Sequence, residues 1–177
     1  MRMADDPFVV LGLERRFDVS PAQVAAAHLR TVSRLHPDRV QDPVERTRLT
    51  RLAAQAGAAK QVLSDELSRA EVLLEHLGAR SFMQASPSPQ FLMETMELRE
   101  AIEDAAGAGD SGRLVALADA VGSLASDARS ALSMALAEGD GAAGAAAWVR
   151  LRYVARIRDR LQDVSGASGG PGYTPRS

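Results

Sequence analysis

Twice near its start this chain sets a small polar residue directly before a proline, at Ser20-Pro21 and at Asp42-Pro43. Each pair constrains the backbone strongly. The polar side chain can accept a hydrogen bond from an amide of the first turn, and proline, with no N–H of its own, is pre-set for the first helical position. Ser20-Pro21-Ala22-Gln23 has the glutamine of a full capping box, and Asp42-Pro43-Val44-Glu45 repeats the device with a glutamate. Helices are therefore expected from Pro21 and from Pro43. Between them Pro37 drives His36 out of helical geometry, so Leu35-His36-Pro37-Asp38-Arg39 belongs to the connection.

On the helix from Pro21, Val24, His28, Thr31 and Leu35 recur at spacings of four and three and form one face. His28 on that face is expected to pack in the core. Arg30 and Arg34 fall off it and are expected to be exposed. The helix from Pro43 repeats Leu49, Leu52, Ala56 and Leu63, a stripe suited to its neighbour. Two such helices with a short connection make an antiparallel hairpin. Phe8 to Leu13 adds a short apolar segment ahead of them.

Alanine and leucine dominate the composition and aromatics make up only 4 %, which favours helix throughout, because these side chains lose little freedom in a helix. The fold class is accordingly all-α. No cysteine is present, which excludes disulfides, thiolate metal sites and cysteine nucleophiles. A net charge of -2 argues against a strongly electrostatic partner such as bulk DNA. Residues 1–6 carry two acids and no apolar run, unlike a signal peptide, and no stretch approaches the roughly 18 apolar residues of a membrane span. A cytoplasmic location is expected.

Gly78 ends a helical run, and Ser86-Pro87-Ser88-Pro89 marks a linker soon after. Beyond it, one helix is expected from Pro89 to about Ala106, a second to about Glu138 and a third from about Ala143 to Val164, with Gly-rich breaks between them. Three helices with short connections imply an antiparallel bundle. The expected organisation is a first unit at 1–78, a linker at 79–90, a three-helix unit at 91–165, and a Gly/Ser/Pro-rich disordered tail at 166–177.

The helix from Pro89 carries two apolar faces. Phe91, Thr95, Leu98 and Ile102 form a narrow stripe fit for a core. Leu92, Met93 and Met96 lie well away from it and are bordered by Glu97, Glu100 and Glu103. A second apolar patch containing adaptable methionines invites a protein partner. On the last helix Ile157, Leu161 and Val164 form the core side, with Tyr153 at its edge.

His36-Pro37-Asp38, placed after a short Phe/Leu segment and between two capped helices, resembles the signature of a J-domain. Further segments narrow the resemblance to the HscB-like branch: Asp6-Pro7-Phe8-Val9-Val10-Leu11-Gly12-Leu13 with Arg16-Phe17-Asp18-Val19, Leu67-Ser68-Arg69-Ala70-Glu71-Val72-Leu73-Leu74, and Phe91-Leu92-Met93-Glu94 with Met96-Glu97-Leu98-Arg99-Glu100. It covers roughly residues 6–164 and implies a J-domain, namely a helical hairpin plus a short N-terminal helix, followed by the three-helix bundle. By resemblance, His36, Pro37 and Asp38 contact a DnaK-type (HscA-like) chaperone and trigger its ATP hydrolysis, while Arg30, Arg34 and Arg39 face its acidic patches. Leu92, Met93, Met96, Glu97, Glu100 and Tyr153 would bind an iron–sulfur cluster scaffold protein (IscU-like), delivered to the chaperone for cluster transfer. Three positions depart from the family pattern: Gly57 and Lys60 in the second hairpin helix, and Glu66 where proline is common.

The chain is thus expected to be no enzyme but a regulator of a partner's ATPase, with no cofactor and no metal site of its own. His28, His36 and His76 have no metal-ligand spacing. A rival reading is nucleic-acid binding through Arg150, Arg152, Arg156, Arg158 and Arg160, which crowd one helix but spread around it. The closer alternative is a J-protein serving a different client.

Overall fold

The computed structural model describes residues 6–35 and 42–167. They form α1 (Pro7–Leu11), α2 (Pro21–Arg34), α3 (Pro43–Ser64), α4 (Glu66–His76), a 3-10 helix (Ala79–Gln84), α5 (Pro89–Gly107), α6 (Ser111–Glu138) and α7 (Gly141–Ala167). No strand occurs among the described residues, so the all-α class holds.

The helix starts follow the local chemistry, with one difference. At α2 the capping box is complete: Ser20 Oγ accepts from the Gln23 amide at 3.2 Å, and Gln23 Oε1 accepts from the Ser20 amide at 2.8 Å. At α3 only half the device forms. Asp42 accepts from the Val44 amide at 3.1 Å, while Glu45 turns forward to Arg48 at 2.9 Å instead of back to the cap. A guanidinium one turn ahead offers a charged donor, and the lone backbone N–H cannot match it.

The run after Pro43 comprises two helices, α3 and α4. Asp65 has extended geometry (φ -88, ψ 125) and caps α4 by accepting from the Ser68 amide at 2.7 Å. Glu66, the departure from proline, therefore occupies the first helical position. A proline would be tolerated there, and an acid is favoured by the helix dipole.

The chain divides into two compact units: Met1–Arg80 with Ser133–Gly141, and Ser81–Leu132 with Ala142–Ser177. The linker region 79–90 begins with the 3-10 helix, and the segment around the α6–α7 turn goes with the first unit. Ser133 donates to Asp18 at 2.8 Å, and a side chain on Gly141 would bring Cβ within 2.9 Å of Ala79 Cβ. Such long-range packing leaves no trace in local periodicity. The turn itself is one of the Gly-rich breaks, Gly139-Asp140-Gly141, with Gly139 at φ 73, where a side chain is strained. Of the expected tail 166–177, residues 166 and 167 complete α7 and the rest lies outside the described residues.

In the first unit α1 and α2 both pack on α3, and α4 packs on α3. The core comprises Phe8, Leu11, Phe17, Val19, Val24, Ala27, Ala56, Ala59, Leu63 and Leu74. His28 is only half-buried; Ala27 takes the central place, so the α2 stripe is rotated slightly from the expected Val24–His28 line. Leu49 and Leu52 are likewise half-buried.

A buried carboxylate closes this unit. Asp6, 1 % exposed, accepts from the Phe8 amide at 2.9 Å, from Arg15 Nε at 2.7 Å and from His76 Nε2 at 3.1 Å. Burial alone would raise its pKa. The Arg15 and Phe8 hydrogen bonds, with the charges of Arg15 and His76, outweigh that and hold it below the ordinary value. The sign of the pH effect follows. A depressed carboxyl adds stability above its unfolded pKa of about 3.9, and that stability is lost as pH falls through the folded value. Asp6→Asn is expected to lower stability at pH 7 by roughly 1–3 kcal/mol in urea unfolding, because the amide keeps one acceptor oxygen for three donors and loses the charge opposite Arg15. The difference from the unsubstituted chain should shrink as pH is lowered below about 4.

Candidate functional site

The first surface is the hairpin of α2 and α3. Arg30 and Arg34 are exposed on α2, as expected. Helix α2 ends at Arg34, and the Leu35 amide donates to the Val32 carbonyl at 3.0 Å. Residues 36–41 lie outside the described residues, and with them His36, Pro37, Asp38 and Arg39.

What holds this hairpin was missed in the sequence. Arg69 on α4 is 8 % exposed; its Nε donates to the Phe17 carbonyl at 2.9 Å, another guanidinium N–H donates to the Leu63 carbonyl, and the group lies 5.3 Å from the Phe17 ring centre. One side chain thereby satisfies a carbonyl at the end of α3 and fastens the segment before α2. Burial lowers its pKa, and Glu66, Asp65 and Asp18 oppose that shift. The available signal was the Arg69-Ala70-Glu71 segment, quoted above only as a resemblance. An arginine amid apolar residues reads equally well as a surface position, so periodicity could not reveal the role.

The second surface is on α5. Ser88 caps the helix, accepting from the Phe91 amide at 3.3 Å. The inward stripe is Phe91, Thr95, Ile102 and Ala105, all buried, while Leu98 is half-buried. Thr95 is tolerated inside because its hydroxyl donates to the Leu92 carbonyl at 2.9 Å. On the other side Met93 is 63 % and Met96 60 % exposed, Glu97 and Glu100 are exposed, and Leu92 is half-buried. At about 100° per residue these five span roughly 140° of the helix. They make one apolar ridge with an acidic border.

Tyr153 comes from α7. It is half-buried, its ring meets Phe91 edge-on at 6.2 Å, and the Arg156 guanidinium lies 5.9 Å from its centre. Further along, Arg160 grips Glu103 through two bonds of 2.6 and 2.8 Å, which hold the Glu103 carboxyl below its usual pKa. The contacts at Phe91 and at Glu103 advance together along both helices. Helices α5 and α7 are thus parallel, with α6 returning between them.

The arginines of α7 are largely occupied. Arg150 lies over Phe91 at 5.1 Å and Arg152 over Trp148 at 4.6 Å, besides the Arg156 and Arg160 contacts. Among the described residues, Arg158 alone of the five has no such contact. Among the described residues no group of three His, Asp or Glu side chains is arranged to hold a metal, and no helix is long and apolar enough to cross a membrane.

Comparison with known proteins agrees with this architecture. Residues 87–162 match the family described as the HSCB C-terminal oligomerisation domain. A "Co-chaperone protein HscB homolog" of Azoarcus sp. (strain BH72) is 32 % identical over 167 residues, covering 92 % of this chain and 94 % of that protein. The namesake from Vibrio cholerae serotype O1 (strain M66-2) is 32 % identical over 162 residues, covering 89 % and 95 %. The solved chaperone HscB from Vibrio cholerae aligns with a TM-score of 0.78 at 28 % identity, covering 92 % of this chain and 98 % of that one. Human co-chaperone HscB shares the fold, with a TM-score of 0.76 at 20 % identity over 90 % and 82 % of the two chains. The chain belongs to the HscB co-chaperone family.

The two faces of α5 predict opposite responses to truncation. Met93→Ala with Met96→Ala is expected to change unfolding free energy by under about 1 kcal/mol, since both side chains already face solvent. Ile102→Ala is expected to cost about 2–5 kcal/mol. Thermal and urea unfolding of the two variants measure the contrast.

Proposed function

We propose that this co-chaperone stimulates ATP hydrolysis by a DnaK-type (HscA-like) chaperone through His36, Pro37, Asp38, Arg30, Arg34 and Arg39, and presents to it an IscU-like cluster scaffold bound at Leu92, Met93, Met96, Glu97, Glu100 and Tyr153. In this reading the chain assists cluster transfer and the maturation of iron–sulfur proteins. It carries no catalytic groups, and ATP and magnesium belong to the partner. The setting is the cytoplasm.

One observation carries the reading: an acid-bordered methionine ridge stands exposed on α5 in a chain that matches HscB relatives over nearly its whole length. Exposed methionines adapt to a partner surface and bury apolar area without a preformed pocket. The bordering carboxylates add orientation more than affinity. Support for the chaperone contact comes from the capped helices on either side of His36-Pro37-Asp38 and from the exposure of Arg30 and Arg34.

His36→Gln is expected to abolish stimulation of the chaperone's ATPase and to leave scaffold binding intact, as read by phosphate release and by calorimetric titration. Replacing Leu92, Met93 and Met96 together with alanine is expected to weaken scaffold binding by at least about tenfold, while stimulation without scaffold persists. Unchanged scaffold affinity would point to the alternative, a J-protein for a different client.

A further inference from the structure

A cavity of about 350 Å³ lies wholly within the first unit. Three stretches of chain wall it: residues 15–18 ahead of α2, the end of α4, and the last turns of α6. None of the residues assigned above to the chaperone or scaffold contacts takes part in it. Small-molecule sites run from about 300 to about 1,000 Å³, so this volume suits a small ligand. A partner helix, about 10–12 Å across with its side chains, does not fit.

The wall has two kinds of chemistry. One part is apolar: Phe17 and Leu73 are buried, and Leu77 is 41 % exposed. The other part is cationic, because Arg15 and Arg16 both line the space. Arg15 commits its Nε to Asp6 at 2.7 Å, which fixes the guanidinium. Its terminal nitrogens have no hydrogen-bond partner among the described residues, and Arg16, which is exposed, makes no hydrogen bond or ion pair among them. Asp18 is the wall's carboxylate, and one of its oxygens accepts from the Ser133 hydroxyl at 2.8 Å. Behind Phe17 stands Arg69, 5.3 Å from the ring centre. Arg15, Arg16 and Arg69 thus outnumber Asp6 and Asp18, and the surroundings of the cavity carry an excess of positive charge.

We propose that this cavity binds a small amphipathic acid, its carboxylate received by Arg15 and Arg16 and its apolar body laid on Phe17, Leu73 and Leu77. A guanidinium presents a planar fork that matches a carboxylate, and apolar surroundings strengthen the attraction. Since Asp6 already holds Arg15 in place, binding costs that side chain little freedom. The ligand supplies Arg16 with the partner it lacks within the fold.

Calorimetric titration of the full chain with hydrocinnamate tests the site, and amide spectra of the isotope-labelled chain locate it. Saturable binding at about millimolar concentration or tighter is expected for a ligand of this size. Amide shifts should centre on residues 15–18, 73–77 and 133–137. Hydrocinnamyl alcohol, which has the same body without the charge, should bind about tenfold more weakly, and Arg16→Ala should weaken hydrocinnamate binding about tenfold. Lys60→Ala removes an exposed cation elsewhere and should bind like the unsubstituted chain. Equal affinity for acid and alcohol overturns the proposal, as does an Arg16→Ala titration that matches Lys60→Ala. Shifts centred on α5 would place the probe on the methionine ridge and equally overturn it. So would a lack of saturable binding by both hydrocinnamate and octanoate, two acids with bodies of different shape. Circular dichroism checks folding, and Arg16→Gln repeats the test should alanine disturb the segment before α2.

Discussion

The buried guanidinium of Arg69 is the interaction on which the first unit depends. Three pieces of chain meet there: the end of α3 at Leu63, the adjoining α4, and the segment ending at Phe17, 52 residues away from Arg69. Removing a charge from water costs several kcal/mol unless its hydrogen bonds are replaced. Two carbonyls and the face of Phe17 do that. The arrangement also gives the Leu63 carbonyl, near the end of α3, a hydrogen-bond partner. Asp6 plays the matching part with opposite charge, tying the start of α1 to Arg15 and to the end of α4. With both ends fixed by charged hydrogen bonds, a core whose α3 side is mainly alanine still defines a single hairpin.

That rigidity matters because a co-chaperone acts through surfaces, not through a pocket. In the proposed function, a face of arginines orients a partner only if the helices beneath keep their spacing, and the same holds for a ridge of methionines. On α5 the division is sharp. Phe91, Thr95, Ile102 and Ala105 fill the interior, and Met93 and Met96 are left in water at a hydrophobic cost the fold itself does not recover. In the proposed function a scaffold protein covers them.

The departures from the family pattern are accommodated locally. Gly57 lies within an unbroken α3, with nothing within 4 Å of a Cβ built there, so it leaves no clash and no specific packing role. Lys60 is exposed, where a charged side chain is at home. Glu66 starts α4, a position that accepts either an acid or a proline.

Much of the fold was legible in the residues alone. Ser20-Pro21, Asp42-Pro43 and Pro89 placed three helix starts, because a capping oxygen beside a proline leaves the backbone few alternatives. The second apolar face of α5 was equally plain, since spacing at 3.6 residues per turn separates Met93 and Met96 from Phe91 and Ile102 whatever the helix packs against. Only the tertiary structure decided that Arg69 and Asp6 are interior. It also decided that residues 133–141 belong with the first unit. Each of these depends on which distant group supplies a hydrogen-bond partner or fills a contact, and local sequence carries no record of a neighbour 50 or more residues away.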